Sequence, residues 1–358
     1  MSQTRVFSFP HVGNYCVVID NMLRHIFKNH KILVPPAITK KTLELGSKYS
    51  PDFVCVPFKY NLGNFIEALE AGANVLLQSG GGCRYGYYAE IQEQILRDLG
   101  YEFDFIRLFA KDMNARTLYR TARRFGTRLS IFGVAYYVLL ATQMVRKMDL
   151  IEAYIRENVG FEVVPGSFER LHNDFLQSLK GVDNFRQLNT IFRDYLKKFK
   201  SLKVDKPQNC LKVGLVGELY TLMEPFSNYF IEKELAKNKI QVSRFITATF
   251  LLFDKPKLRP KILAAAGKYL KYHLGADGTD SVERSMTLAE RGYDGLIHIK
   301  PFGCIPEINA MPVLQNISQD YKIPILYFSF DSQTSELGVK TRLEAFYDML
   351  MMRKEVST

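Results

Sequence analysis

Hydrophobic and polar positions along this chain follow two rhythms that trade places. Short apolar runs bounded by Pro, Gly, Asn or Asp occur at Arg5–Phe9, Lys31–Val34, Phe53–Val56, Val75–Gln78 and Phe103–Leu108, and each reads as a strand. Between them the apolar residues move to helical spacing. Leu62, Phe65, Ile66 and Leu69 share a face that stops at Gly72, and Ile91, Ile95, Leu96 and Leu99 share one that stops at Gly100. Strand–helix alternation of this kind predicts an α/β fold with a parallel sheet and right-handed crossovers.

The pattern changes near Asp112. From there to about Leu202 the spacing is helical and rich in Arg, Lys, Tyr and Leu, with helices expected over Ala115–Arg128, Ile131–Val159 and within Ser167–Lys200. The stretch KKFKSLKVDKPQN reads as a charged linker. Beyond it the alternation resumes, with strands expected at Lys212–Val216, Val242–Ile246, Leu296–Ile299 and Pro324–Phe328, and helices at Pro225–Lys237, Ser281–Arg291, Pro306–Ser318 and Thr341–Met352. The expected organisation is a first α/β domain over 1–112, a helical segment and linker over 113–205, and a second α/β domain over 206–358. No fixed-period solenoid repeat is visible.

Length and composition narrow the class. A chain of 358 residues has room for two cores, and 47% hydrophobic with 24% charged residues is ordinary for a globular protein. Five cysteines, an odd number in a long chain, argue against a secreted disulfide framework and for a reducing cytoplasm. The N-terminal MSQTRVFSFPHVGNY shows no basic segment followed by an apolar core, and the most apolar stretch, Ile131–Val145, is too short and broken to span a bilayer, so no membrane association is expected. The net charge of +11 favours a polyanion or an acidic partner. Nucleic-acid binding is not expected, because no aromatic platform or reader motif accompanies the charge.

Three cysteines share one local setting. Cys55 lies in DFVCVPFK, Cys83 in NVLLQSGGGCRYG and Cys304 in GLIHIKPFGCIPE. Each follows an apolar run, sits beside Gly or Pro and precedes a helical pattern. That places it at the carboxyl edge of an open sheet, where such folds bind ligands. Thiolates are soft ligands suited to iron–sulfur clusters, zinc or copper(I), and a site with three leaves one iron of a cube open. No CxxC occurs, so a zinc ribbon and a ferredoxin run are excluded. The competing reading is three small buried side chains in turns. Gly80, Gly81 and Gly82 before Cys83 would let the backbone approach an inorganic core and offer amides to its sulfides, and Arg84 and Lys59 would offset its negative charge. No GK[ST] follows, so the glycines are not a P-loop. Cys16 and Cys210 lack this setting and read as structural.

KTLELGSKYSPDFVCVPFKYNLGNFIEALEAGAN, LLQSGGGCRYGYYAEIQEQILRDLGY, VGELYTLMEPFSN, GYDGLIHIKPFGCIPE and IPILYFSFDSQTSELGVKTRLEAF carry a resemblance that covers most of the chain and is weakest in its helical middle. The sequence resembles the 2-hydroxyacyl-CoA dehydratase superfamily, and within it the CoA-protein activase and activase-related subgroup, which is related to double-cubane cluster proteins. The resemblance implies two flavodoxin- or Rossmann-like α/β domains. It implies iron ligation by three cysteines, which fall by motif on Cys55, Cys83 and Cys304. The cofactor would be a 4Fe–4S cluster with an exchangeable fourth position, or a double-cubane form. It further implies a separate ATP-dependent activator of the actin-like fold as electron donor, and a homodimer or a heterodimer with a homologue. This chain lacks the paired nucleotide-binding signatures of such an activator and a Walker A sequence, so it is expected to accept the electrons. The expected function is reductive chemistry on a small molecule, acyl-CoA among the options, or on a partner protein. A non-catalytic cluster-binding subunit and a zinc-binding interaction protein stand as alternatives.

Other residues attract a functional reading beside a bland one. Arg116, Arg120, Arg124 and Arg128, joined by Arg123, form a stripe that would suit an acidic partner or a CoA phosphate, or simply face solvent. His11, in FPHVGN after the first strand, is a candidate proton donor, whereas His298 reads as structural. Glu218 and Glu224 in GELYTLMEP would serve as acid/base groups or as helix caps.

Overall fold

The computed structural model describes residues 4–80, 83–108 and 115–357. The fold is α/β, with two four-stranded parallel sheets and many helices, consistent with two Rossmann- or flavodoxin-like domains. The chain divides into two units, one of Met1–Val145 with Asp174–Arg193 and one of Arg146–Asn173 with Asp194–Thr358.

The first unit opens with β1 (Val6–Ser8), α1 (Cys16–Ile26), β2 (Lys31–Ile32), α2 (Lys40–Tyr49), α3 (Val56–Glu70), β3 (Val75–Ser79), α4 (Tyr88–Asp98) and β4 (Asp104–Leu108). The strands lie in the order β2-β1-β3-β4, all parallel. α5 (Ala115–Arg124) and α6 (Ile131–Asn158) follow, then α7 (Ser167–Leu179) and α8 (Phe185–Ser201). The segment expected as a separate helical block is helical, but the division between the units passes through α6, α7 and α8. The expected linker is in part the end of α8, and Val204 just beyond it forms an isolated bridge with Glu162.

One expected strand is absent. Phe53–Val56 is a turn leading into α3, and Phe53 is 91% exposed. Pro57 sits in the first turn of α3, where a missing amide costs nothing, so the apolar run starts a helix instead of extending a sheet. α3 is buried nearly all round: Phe58, Leu62, Phe65 and Ile66 join Leu76 of β3 and Leu96 of α4 in one core cluster. Each such side chain contributes roughly 1.5–3 kcal/mol by leaving water. α2 closes over the other side through two glycines. A Cβ at Gly46 would lie 1.8 Å from the Lys59 carbonyl oxygen and one at Gly63 would lie 1.9 Å from that of Thr42, so the helices cross backbone to backbone.

The second unit repeats the sheet. β5 (Lys212–Gly217), α9 (Leu219–Met223), α10 (Ile231–Lys237), β6 (Gln241–Arg244), α11 (Lys255–Ala266), α12 (Gly278–Glu290), β7 (Gly295–Pro301), α13 (Ile305–Asp320), β8 (Ile325–Phe330) and α14 (Glu336–Ser357) run in order. The strand order is β6-β5-β7-β8, again all parallel. β3 and β7 therefore hold the same place in their sheets. In each sheet the order reverses beside the first strand, and the crevice at that carboxyl edge is where open α/β sheets bind ligands. Leu296, Ile297 and Ile299 of β7 are fully buried, as befits a strand covered on both faces.

Candidate functional site

In the first unit two of the predicted cysteines stand at helical starts. Cys55 is the N-cap of α3 and is half-buried, with its Sγ against the Tyr88 hydroxyl. It therefore begins a helix; it does not end a strand. Cys83 follows β3 and caps a short 3-10 turn, Arg84–Tyr87. It is exposed, and its Sγ accepts from the Tyr85 amide at 3.4 Å. The Tyr85 and Tyr88 rings lie 4.6 Å apart, so the Cys55 sulfur meets the side chain of one member of this pair and the Cys83 sulfur the backbone amide of the other. None of the five cysteines forms a disulfide, and Cys16 and Cys210 are buried.

Two asparagines on α3 set the loops around these thiols. Asn64 Oδ1 accepts from the His11 amide at 2.9 Å, and its Nδ2 donates to the Pro36 carbonyl at 2.9 Å. Asn61 Nδ2 donates to the Tyr85 hydroxyl at 3.2 Å. Both side chains are fully buried, and spaced i, i+3 they tie the segments after β1, β2 and β3 to a single helix. His11 lies half-buried after β1, as its place in the sequence suggests. Gly80 does not offer its amide to a ligand, because that N–H completes the sheet by donating to the Leu108 carbonyl at 3.0 Å. Gly81 and Gly82 lie outside the described residues. Arg84 is exposed.

In the second unit Cys304 is the N-cap of α13 and is half-buried. It follows β7 as Cys83 follows β3. Pro306 stands two residues on, as Pro57 stands two after Cys55. All three cysteines are N-cap residues, and among them the Cys83 side chain accepts a cap hydrogen bond while those of Cys55 and Cys304 accept none. Lys300, on β7, is 4% exposed and donates to Ser329 Oγ at 2.6 Å. Burial pulls its pKa below the ordinary lysine value, while the charges of Cys304 and Glu307 work against that. Lys300 therefore lies near enough to Cys304 for the two charges to act on one another. Its position inside an apolar run, GLIHIKP, was the available signal.

Sequence reasoning missed the polar cluster beside this loop. His298 Nε2 and Glu307 Oε2 are 2.7 Å apart and fully buried, and Ser281 Oγ donates to Glu307 Oε1 at 3.2 Å. Lys255 Nζ reaches Asp277 Oδ1 at 2.8 Å and Asp280 Oδ2 at 2.7 Å. Asp277 Oδ2 accepts from the Leu219 amide at 3.3 Å, and Glu218, the N-cap of α9, accepts from the Tyr220 and Thr221 amides. Glu218 is therefore a helix cap, and Glu224 caps the next turn by accepting from the Phe226 amide at 3.4 Å. The elements meet closely: a Cβ on Gly278 would lie 2.5 Å from the Pro306 carbonyl oxygen. The spacing of the two acids in GADGTDS was legible, but their pairing with Lys255 is tertiary.

The arginine stripe is shorter than expected. Arg116, Arg120, Arg123 and Arg124 are exposed on α5, which ends at Arg124, and Arg128 lies beyond the turn at Gly126. Among the described residues no three His, Cys, Asp or Glu side chains gather as a ready metal site, and no helix is long and apolar enough to cross a membrane. Cys55 and Cys83 belong to the first unit and Cys304 to the second. A scan against protein-family models finds no match, and no curated protein matches the chain.

Proposed function

We propose that this chain is an iron–sulfur protein that accepts low-potential electrons from an ATP-dependent activator and uses them in reductive chemistry on a small molecule, acyl-CoA being one class, or on a partner protein. Cys55, Cys83 and Cys304 are the proposed ligands. The observation that carries the reading is their common local geometry, a thiol at the N-cap of a helical turn, with Cys83 and Cys304 following the equivalent strands of two like sheets. The donor set fits the group: three soft sulfurs on N-cap residues, with the cation of Lys300 near one of them. A bound cluster would supply one-electron chemistry. The chain's own part is to hold the sulfurs. Asn61 and Asn64 anchor the loops of the first unit, and the Tyr88 hydroxyl lies against the Cys55 sulfur. The exposed arginines of α5 suit an acidic partner face, where such charges act mainly on association rate and its salt dependence.

The test is anaerobic purification followed by metal analysis, then EPR after mixing with an ATP-dependent activator, ATP and dithionite. Bound iron, broad visible absorption and a reduced signal that requires both ATP and activator are expected. Zinc without colour would replace this reading with that of a zinc-binding interaction protein. Iron reduced equally well without ATP or activator would remove the electron-acceptor role.

A further inference from the structure

At the carboxyl edge of the second sheet, three buried carboxyls and a partly buried fourth stand together with fewer lysines than acids. Glu218 stands at the switch between β5 and β7. Gly217 before it has φ 138°, and a Cβ there would lie 1.8 Å from the Ile299 carbonyl oxygen, so only glycine lets β5 turn this sharply against β7. The Glu218 amide then donates to that same Ile299 carbonyl at 2.9 Å, which locks the residue over the end of β7. Facing it from α12 is Asp277, 3% exposed, and beside that Asp280, 2% exposed. Glu307 of α13 is fully buried and adds its charge at Asp277. The cations around this set are Lys255 at the head of α11 and Lys300 on β7, with His298 paired to Glu307. Arg284 lies near Asp280 but is paired with Glu283. A one-turn π-helix, Phe250–Asp254, leads into Lys255, a distortion often found at functional sites.

Four carboxyls against two lysines is an arrangement that a low-dielectric site relieves by keeping a proton. Lys255 grips Asp277 and Asp280 directly, and Glu307 has His298, which leaves Glu218 as the carboxyl of the four with no cation in contact among the described residues. We propose that Glu218 is a proton-holding carboxyl at the carboxyl edge of the second sheet, still carrying its proton where an ordinary glutamate is ionised and able to hand it to an oxygen or nitrogen acceptor bound there. Its surroundings suit both states. Thr221 Oγ1 lies 2.7 Å from Glu218 Oε2, and a hydroxyl donates to a carboxylate or accepts from a carboxylic acid. Donation breaks the carboxyl O–H bond and leaves a carboxylate that the Tyr220 and Thr221 amides already cap at 3.0 and 2.8 Å. Glu218 is only partly buried, so water can restore the proton. Burial pushes this carboxyl up to about 7, the negative charge of Asp277 adds to the effect, and the bonds from Thr221 and Tyr220 oppose it. The proposal does not depend on the iron–sulfur reading, because the cluster is built from residues of the second unit alone.

The experiment is a pH titration of the full chain with carbon-13 in its glutamate carboxyls, read by NMR and by infrared difference spectra, with and without bound iron. Wild type is expected to show one glutamate carboxyl with a midpoint near pH 7. Glu218→Gln is expected to lose that signal. Asp277→Asn is expected to move the midpoint down, because it removes the adjacent negative charge. A wild-type protein in which every glutamate carboxyl is already ionised at about pH 6, well above the ordinary range, would overturn the proposal whether or not the variants fold. So would persistence of the signal in folded Glu218→Gln.

Discussion

Glu152 and Glu218 are carboxyls of the same unit driven in opposite directions by their neighbours. Glu152, on α6, is buried and lies 3.5 Å from Arg156, 3.6 Å from His172 and 3.8 Å from Arg244. Burial pushes its carboxyl up, but the neighbouring His172 and the charges of Arg156 and Arg244 bring it down to about 2. Its stabilisation is therefore complete above the ordinary value of 4.5 and is lost as pH falls toward about 2. Glu218 and Asp280 are raised, to about 7 and about 6, and their contributions have the reverse sign. These are present at acid pH and are lost as pH rises through those values. Thermal melts across pH should show both losses. Glu218→Gln should flatten the decline toward neutral pH. Glu152→Gln should remove the acid-side dependence and cost roughly 3–5 kcal/mol, the penalty for breaking a buried charge network. Melts whose slopes are unchanged in both variants would refute this assignment. At this scale the sequence shows single residues well and pairs poorly. The cysteines and Glu218 stand out beside Gly or Pro, whereas Lys255 meets Asp277 across 22 positions, a contact that only the fold creates.

The helices α2 and α3 make the corresponding point at the scale of elements. Gly46 and Gly63 let the two backbones touch, and α3 carries Cys55 at its head and Asn61 and Asn64 along its length. Gly63→Ala should force α2 away and cost about 1–3 kcal/mol, as overpacking does elsewhere. The urea midpoint measures this, and an unchanged midpoint would show that the crossing yields freely. The same helix shows why parts of the fold were hidden. All four strands of each sheet were legible as apolar runs between turn residues, most plainly β3 and β7, which are buried along almost their whole length. Phe53–Val56 offered the same apolar letters, yet Phe53 is exposed and Pro57 opens a helix. α2 escaped notice because its core face is narrow: only Thr42, Leu43 and Gly46 are buried. α11 escaped because Pro256 and Pro260 look like breakers, although the first lies in its opening turn.

For the whole molecule, the repeated strand order places Cys83 and Cys304 after like strands, while Cys16 and Cys210 are buried in the packing. Alanine at Cys55, Cys83 or Cys304 should lower the iron bound per chain, and alanine at Cys16 or Cys210 should leave it unchanged. Equal iron in all five variants would show that these thiols are not its ligands. The three cysteines were legible as a recurring setting. The units themselves were not, because the division falls within continuous helices that carry no break in hydrophobic pattern.

That division also dictates an order of assembly on the ribosome. Residues 174–193 belong with the first unit although Arg146–Asn173, part of the second, are made before them. The attachment is specific: Asn21 of α1, 3% exposed, donates through Nδ2 to the carbonyls of Leu179, Lys180 and Val182 at 3.0–3.3 Å. His25 faces the same return stretch at Val182 and stacks on Tyr137 at 4.3 Å. A nascent chain halted after Val145 thus leaves the Asn21 amide without its acceptors and Tyr136 without the Phe185 ring that packs on it. The first unit should become protease-resistant only once the chain has emerged past Arg193, later than its own sheet is synthesised. Arrested chains of graded length, probed by pulse proteolysis, should show protection appearing in one step at that point, and chaperones that shield exposed apolar surface should stay bound until then.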